Sequence, residues 1–294
     1  MVNFISKRKL WVSISAVLVA ASITMLALWG LKLGIDFTGG SLLEVKFLGS
    51  APSVTEVEEK LADLQLKSLT SQPTEQNGMV LRFQDTSEET HQAILKRLPP
   101  LEELRFEAVG PSVGQELQRK AIYAIILVLL TISFYMAWAF RKVSRPVASW
   151  KYGVVTLISL FHDVVIVLGL FAFLGEFYGV EINTSFIAAT LTVLGFSVHD
   201  TIVVFDRIRE NLPRSNQDFA GTVNTSLNQT IVRSINTSVT VMLVLAAIVF
   251  LGGASIQYFS LALLVGIFFG TYSSIFLASP LLVFWDNFSR RNNA

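Results

Sequence analysis

The sequence has no cysteine, only three histidines and little charge of either sign. Asp, Glu, Lys and Arg make up 15% of its 294 residues, whereas soluble domains carry about 25%. Without cysteine there is neither a disulfide framework nor a cysteine-ligated metal site. A net charge of +1 gives no reason to expect nucleic acid as a partner. The lack of charge and a mean hydropathy of +0.56 together indicate a membrane protein.

Motifs of common enzyme classes are missing as well. The sequence contains no nucleophile elbow, no P-loop and no zinc motif. It therefore predicts no enzyme, no catalytic residue, no metal and no cofactor. Any work done by the protein would draw on an energy source other than a nucleotide bound to this chain.

Long apolar runs predict six membrane-spanning helices, because a helix needs about 20 mostly apolar residues to cross a bilayer. The predicted spans are about 11–31, 120–140, 154–174, 183–206, 234–251 and 258–284. The first is interpreted as an uncleaved span, since it is longer than a signal-peptide core and no A-x-A site follows it.

Basic residues concentrate on one side of these spans. The short loops 175–182 and 252–257 contain no Lys or Arg. The basic residues at the opposite ends are Lys7, Arg8, Lys9, Arg141, Lys142, Arg145, Lys151, Arg207, Arg209, Arg214, Arg290 and Arg291. The positive-inside rule therefore predicts that both termini are cytoplasmic.

Residues 32–119 form one large polar loop on the exported side, between a first part at 1–31 and a five-helix part at 120–294. Strand patterns at 41–47, 66–72, 78–84 and 103–109 alternate with helix patterns at 54–64 and 87–98. This β-α-β-β-α-β order predicts a ferredoxin-like sandwich. The fold class is thus an α-helical membrane protein, a six-helix bundle with one small α+β extracytoplasmic domain. His91 in this domain is predicted to be a solvated surface residue.

The entrance to the loop reads GIDFTGGS, residues 34–41. Gly34, Gly39 and Gly40 permit positive φ and close backbone approach, and the Asp36 side chain could cap a turn. The segment predicts a shaped junction between a membrane helix and a strand, with no chemistry of its own.

Asp200 is an ionisable residue inside the fourth predicted span, about 10 Å beyond Arg207 at a rise of 1.5 Å per residue. Thr190, Ser197 and Asp200 fall on one side of the helix. One interpretation is that the Asp200 carboxyl group has a structural role and hydrogen-bonds to neighbouring helices. The other, which we favour, is a buried carboxyl group that binds and releases a proton.

Arg233 begins a second polar stripe, in which Asn236, Thr237 and Thr240 follow at helical spacing. An arginine stays charged, so it needs a buried anion or a route to the interface. The sequence leaves open whether Arg233 flanks the fifth span or pairs with Asp200.

His162 and Asp163 stand together near the middle of the third span. Asp163 could relay protons or hydrogen-bond a neighbouring helix. His162 and His199 are interpreted as structural hydrogen-bonding residues, with proton carriers as the alternative. A metal site is not expected, because the two His-Asp pairs lack a metal-ligand spacing. Asp206 is expected to make a surface ion pair or a helix-end contact. Gly266 and Gly270 form a small-xxx-small pattern that allows close helix packing.

Four segments of the chain resemble the SecD/SecF family of protein-export membrane proteins, and its SecF subunits in particular. They are GIDFTGGSLLEV at 34–45, VGPSVGQEL at 109–117, HDVVIVLGLFAF at 162–173 and VHDTIVVFDRIREN at 198–211. The resemblance covers nearly the whole chain in the same order. One departure is His199, where the family motif commonly has Asn before its first aspartate.

The resemblance implies one six-span half of a transporter of the resistance-nodulation-division type, in the bacterial cytoplasmic membrane, with a SecD subunit as the other half. It implies use of the proton-motive force to promote late steps of protein export. The implied partners are SecD, the SecYEG channel, the accessory proteins YajC and YidC, exported preproteins and the lipid bilayer.

The resemblance also assigns residues. Asp200 and Arg233 take positions linked to proton conduction in the family. Gly34, Asp36, Gly39, Gly40, Asp206 and Arg207 are part of the family signature. Sodium stays open as the coupling ion, because a carboxylate with nearby Thr and Ser oxygens could serve either ion. The alternatives left open are a half-transporter for lipids or small molecules and a scaffold that transports nothing.

Overall fold

The computed structural model of the protein describes residues 2–74, 77–141 and 147–292. The chain divides into two compact units, one of Leu33–Ile122 and one of Met1–Lys32 with Tyr123–Ala294. Of the basic residues used to predict sidedness, Lys142 and Arg145 and the side chains of Arg290 and Arg291 lie outside the described part.

The larger unit is built from long helices, and the described residues include six helices long and apolar enough to cross a membrane, as predicted. Their bounds are α1 Arg8–Trp29, α5 Pro111–Ala139, α6 Ser149–Tyr178, α7 Thr184–Asn211, α8 Phe219–Leu251 and α9 Ala254–Ser273, the last continued by a π-helical turn Ser274–Ala278 and by α10 Ser279–Asn292. Most extend beyond the predicted spans. For example, α8 begins 15 residues before 234, where the Asp218 side chain caps it and its polar residues lower the hydropathy.

The smaller unit contains a four-stranded antiparallel sheet within the described residues. The elements are α2 Ile35–Thr38, β1 Gly40–Phe47, α3 Val54–Leu61, β2 Thr70–Thr74, β3 Gly78–Phe83, α4 Glu88–Arg97 and β4 Leu101–Val109. The strand order β2-β3-β1-β4 and the element order are those of the predicted ferredoxin-like sandwich. Its core is formed by Leu43, Val57, Leu61, Leu81 and Ile94, each at most 1% exposed.

The second strand lies later in the chain than the predicted 66–72. Gln65 and Ser68 have φ angles of 48° and 56°, so the chain turns in the left-handed region before β2 begins at Thr70. Pro73 lies within β2, which is possible because β2 is at the edge of the sheet and pairs only with β3.

The prediction for His91 is wrong, because the residue is only 5% exposed. Its ring stacks on Phe106 of β4 with a centroid distance of 3.8 Å. Glu88 precedes it by one helical turn and contacts its Nδ1. The polar sequence of α4 suggested a solvated face, but the aromatic ring of the neighbouring strand lies beneath this position.

The glycine-rich junction has positive φ at two of its three glycines. Gly39 has a φ of 74° and Gly40 a φ of 119°. Gly34 instead has an extended conformation, with a φ of −75°, and directly precedes α2. Asp36 lies in the first turn of α2, where the positive end of the helix dipole stabilises a carboxylate.

Replacing Gly39 by alanine is expected to destabilise the smaller unit strongly. A left-handed φ costs a residue with a Cβ about 1–2 kcal/mol, and a Cβ here would lie 2.7 Å from the Pro111 Cα. Gly49→Ala is the control, since a Cβ there meets nothing within 4 Å. The measurement is limited proteolysis of the full chain across a temperature series. Equal cleavage of the two variants would contradict the expectation.

Candidate functional site

Four helices of the larger unit, α6 to α9, bring two carboxyl groups and several hydroxyl groups into its interior. Asp163 of α6 is fully buried and Asp200 of α7 is 2% exposed. The buried hydroxyl groups that bond to them come from α7, α8 and α9 and belong to Ser197, Ser238, Thr271 and Ser273. In an apolar bundle such a cluster is costly unless its members bond to one another.

Asp163 has partners on both carboxylate oxygens. His162 Nδ1 lies 2.8 Å from its Oδ1. Ser197 Oγ donates to Oδ2 over 2.6 Å, and Ser273 Oγ donates to the same oxygen over 2.9 Å. This carboxyl group therefore joins α6 to α7 and α9.

Asp200 has fewer partners. Thr271 Oγ1 donates to its Oδ2 over 3.0 Å, and Ser238 Oγ lies 3.3 Å from the same oxygen. The Ser238 and Thr271 hydroxyl oxygens also lie 2.6 Å apart. No hydrogen bond to Oδ1 occurs among the described residues, so one carboxylate oxygen of Asp200 is available to a further donor or ion.

The two carboxyl groups are linked through α7 and α9. Ser197 lies on α7 almost one turn before Asp200, and its carbonyl accepts from Thr201 and Ser274. Thr201 and Ser274 hydroxyl groups lie 2.8 Å apart. Ser274 begins the π-helical turn, a rare local structure that is often found at functional sites.

Two glycines of α9 allow this close contact. A Cβ at Gly266 would lie 2.2 Å from Val193 Cγ2, and one at Gly270 would lie 2.9 Å from Ser197 Cβ. The small-xxx-small pattern thus packs α9 directly against α7, as the sequence predicted.

Several members of the cluster did not stand out in the sequence. Ser238, Thr271, Ser273 and Ser274 are short hydroxyl residues within apolar runs, and serine is common in membrane helices. The available signal was their density, since GTYSS at 270–274 places four hydroxyl residues and a glycine within five positions. Only the contacts show that Ser238, Thr271 and Ser273 face the two aspartates.

Arg233 does not lie on the buried face of α8, so of the two possibilities left open by the sequence the structure shows no pairing with Asp200 among the described residues. Arg233, Asn236 and Thr237 are all exposed in this chain, while Ser234 and Ser238 form the buried face of α8. Successive residues on a helix are rotated by about 100° around its axis. Ser238, the residue after Thr237, therefore lies on the inward face of α8, while the polar stripe that begins at Arg233 faces outward.

The other predicted residues divide between surface and interior. His162 is 2% exposed and belongs to the cluster, with its ring near Phe269 and Tyr272. His199 is exposed. Asp206 forms the expected surface ion pair, with Arg209 at 2.5 Å. Arg207 donates to Gln229 Oε1 at the end of α7 and pairs with Glu210.

The fold and this cluster define a class of protein, a multi-pass membrane protein with two buried carboxyl groups held by hydroxyl groups of neighbouring helices. Comparison with known proteins gives the family. The sequence model of "Protein export membrane protein SecD/SecF, C-terminal" matches residues 90–288, and that of the "SecD/SecF GG Motif" matches residues 30–47. The chain belongs to the SecD/SecF family of protein export membrane proteins.

Relatives match over nearly the whole chain. The chain is 44% identical to "Protein translocase subunit SecF" of Thermobaculum terrenum, over 98% of this chain and 95% of that protein. It is 34% identical to "Protein translocase subunit SecDF" of Thermus thermophilus, over 97% of this chain but 38% of that protein. The crystal structure of Thermus SecDF superposes with a TM-score of 0.84 at 33% identity, over 97% of this chain and 39% of that one. The chain therefore corresponds to about two fifths of a fused SecDF.

Proposed function

We propose that this protein is the SecF-type subunit of a protein translocase and works with a SecD-type partner. The observation that carries the proposal is the match of the whole chain to SecF proteins and to one part of fused SecDF chains. A protein that forms part of a single chain in one organism and a separate chain in another is expected to assemble with the missing part. The SecYEG channel, YajC, YidC and exported preproteins are the further partners in this proposal.

Asp200 is proposed as the group that couples an ion gradient to this work. It is buried, has two hydroxyl oxygens at 3.0 and 3.3 Å from Oδ2, and has no hydrogen bond to Oδ1 among the described residues. Asp163 has its three partners in place on both oxygens and fits a supporting role, with His162. A proton is the favoured ion, and sodium is the alternative. No cofactor is needed.

A seam of hydroxyl groups leads along α8 to Asp200. Thr222, Ser226, Thr230, Ser234 and Ser238 repeat at every fourth position and are all buried. Most donate to the carbonyl four residues earlier, but Ser234 Oγ has no hydrogen-bond partner within the described residues. The seam is a polar lining from the N-terminal end of α8, and we propose that it is the ion's route on that side.

The exposed polar face of α8 is proposed to meet the partner's helices. Arg233, Asn236, Thr237 and Thr240 are exposed on a membrane-spanning helix. Polar side chains are costly against lipid, and a charged one needs a partner or a route to the interface. In this proposal Arg233 lies next to the SecD-type half and acts on the coupling site only in the assembled complex.

The orientation belongs to the same proposal. The N-terminal ends of α6 and α8 are flanked by basic residues such as Lys151 and Arg214, which favours the cytoplasmic side for these ends and for both termini. The domain between α1 and α5 then lies outside the cytoplasm.

Two alternatives are less well supported. A half-transporter for lipids or small molecules would share the intramembrane carboxyl groups, but the relatives that match over the full length carry the name of protein translocase subunits. A scaffold would need no available carboxylate oxygen at Asp200. Ion flux in the assembled complex separates the scaffold from both transporters.

The proposal is tested in inverted membrane vesicles of a bacterial strain depleted of its own SecD and SecF. The chain is supplied with the SecD of its own organism, and completion of preprotein export is followed after nucleotide-driven transport is stopped. We expect an imposed ion gradient to raise completion only when both subunits are present. Completion that is equal with and without the chain would contradict the proposed function.

A further inference from the structure

Residues 2–7, here called the strap, lie against the N-terminal part of α8, although 220 positions separate Phe4 from Asn224. Asn224 Oδ1 accepts from the Phe4 N–H over 2.8 Å, and Asn224 Nδ2 donates to the Val2 carbonyl over 3.2 Å. Asn228, one turn later, accepts from the Val2 N–H over 2.9 Å and donates to the Val2 carbonyl over 2.8 Å. Two amide side chains of α8 therefore hold the strap by its backbone.

These two asparagines, here called the clasp, suit an irregular piece of backbone. An asparagine amide carries both donors and an acceptor, so it can pair with an N–H and a C=O of the main chain at the same time. Because the clasp binds main-chain atoms, it fixes the position of the strap and leaves the Phe4 and Ile5 side chains to pack elsewhere. The strap then continues as a short 3-10 helix, Ile5–Lys7, which leads into α1.

The side chains of the strap pack against the π-helical turn that follows α9. The Phe4 ring meets Phe276 of this turn edge to face, with a centroid distance of 5.9 Å. Trp11 of α1 lies on the same ring at 4.5 Å. Ile5 is 3% exposed and belongs to the apolar cluster that contains Ile275, the neighbouring residue of the turn. The strap and the start of α1 thus enclose one side of the π-helical turn.

The same turn carries hydroxyl groups of the candidate coupling site. Ser274 is its first residue, and its Oγ lies 2.8 Å from Thr201 Oγ1. Ser273, directly before the turn, donates to Asp163. Relaxing a π-helical turn to the α-helical pattern shifts one flank by one residue, which is a rotation of about 100° about the axis. A rotation of the α9 flank by this amount would move Ser273 away from Asp163.

We propose that the strap fixes the π-helical turn and thereby positions Ser273 and Ser274 at the site. The clasp holds the strap on α8, and Phe4 in turn holds Phe276. When the clasp opens, Phe4 leaves Phe276 and the turn loses its support on this side. The strap is a positioning element, because it reaches the site through Phe276 and contacts neither aspartate. Its effect on the turn stands by itself, whereas its effect on export rests on the function proposed above.

The clasp is opened by the double variant Asn224→Ala/Asn228→Ala. Alanine is the best helix former, so the change removes the amides without weakening α8. Asn287→Ala is the matched control, since Asn287 is exposed on α10. Release of the strap is measured as the rate of trypsin cleavage after Lys7 in the full chain in nanodiscs. We expect several-fold faster cleavage in the double variant and an unchanged rate in the control.

The state of the turn is measured in the same samples by hydrogen exchange and mass spectrometry. We expect several-fold loss of protection at residues 274–278 in the double variant, with unchanged protection in α6, whereas a general loss of stability would raise exchange in both. Phe4→Ala removes the ring and leaves the clasp. It should deprotect the turn without releasing the strap, and it should add nothing to the double variant, because both changes act on one contact.

Export is measured in vesicles that also contain the SecD-type partner. Stimulation by an ion gradient should fall several-fold in the double variant and persist in Asn287→Ala. Absence of stimulation in wild type would contradict the proposed function and leave the strap to the exchange result. The strap would be overturned by equal trypsin cleavage of the double variant and wild type, or by unchanged exchange of the turn when the strap is released. Additive effects of Phe4→Ala and the double variant, or full stimulation in the double variant while wild type responds, would overturn it as well.

Discussion

Asp200→Asn is expected to remove the stimulation of export by an ion gradient while the complex still assembles. Asparagine keeps an oxygen that can accept from Ser238 and Thr271, so the bundle retains its hydrogen bonds. It cannot ionise, so it cannot take up and release a proton or attract a sodium ion. The defect should thus appear in coupling and not in folding.

The size of the effect follows from the energy of one charge in the membrane potential. Moving one charge across 100 mV releases about 2.3 kcal/mol, which corresponds to roughly a fifty-fold change in an equilibrium constant. Completion of export in Asp200→Asn vesicles should fall to the level that wild type shows without a gradient.

The measurement compares wild type, Asp200→Asn and Glu210→Gln in vesicles that contain equal amounts of assembled complex. Glu210 lies on the same helix, is exposed and pairs with Arg207 and Arg214, and surface ion pairs of this kind contribute little to stability. Glu210→Gln should keep full stimulation. Full stimulation in Asp200→Asn would contradict the assignment and would move the coupling site to Asp163 or to the partner.

The sequence was sufficient for the parts of the fold that depend on periodicity. The six helices and the β-α-β-β-α-β order follow from apolar runs and alternation, which local physics determines. The displacement of β2 did not follow, because the left-handed residues Gln65 and Ser68 carry no glycine signal. His91 was misplaced for a related reason, since the stacking ring of Phe106 comes from a strand fifteen residues later.

The site was partly predictable on the same grounds. Asp163 and Asp200 could be named because a carboxylate in an apolar span is costly and therefore conspicuous. Their hydroxyl partners could not, because pairing between Ser238, Thr271 and Asp200 depends on how three helices are rotated against one another. Whether Arg233 faces the bundle interior or its outside depends on how α8 is rotated about its axis. A single polar stripe in the sequence does not determine that rotation.

Gly266→Ala is expected to be the most damaging single substitution in the helix interface. The added Cβ would lie 2.2 Å and 2.7 Å from the two methyl groups of Val193 and 3.0 Å from its Cβ. Val193 is 1% exposed and cannot turn away into open space. Overpacking of this kind typically costs about 1–3 kcal/mol, occasionally more.

The same substitution is expected to disturb the site. If α9 moves away from α7, the hydrogen bond between Thr201 and Ser274 and the contacts that Thr271 and Ser273 make with the two aspartates lengthen. Gradient-driven export should then fall even in the fraction of protein that remains folded.

A second substitution provides the test of cause. Val193→Ala removes the two methyl groups that Gly266→Ala would strike, so the double variant should be more stable than Gly266→Ala alone, and the two changes should not be additive. Gly195→Ala is the matched control on α7, where a Cβ meets nothing within 4 Å and alanine is the better helix former. Stability is measured as the temperature at which the monodisperse peak is lost in size-exclusion chromatography. If Val193→Ala does not restore the stability lost in Gly266→Ala, the contact between α7 and α9 does not depend on the absent side chain at Gly266. The close approach of the two helices must then be set by Gly270 and Ser197.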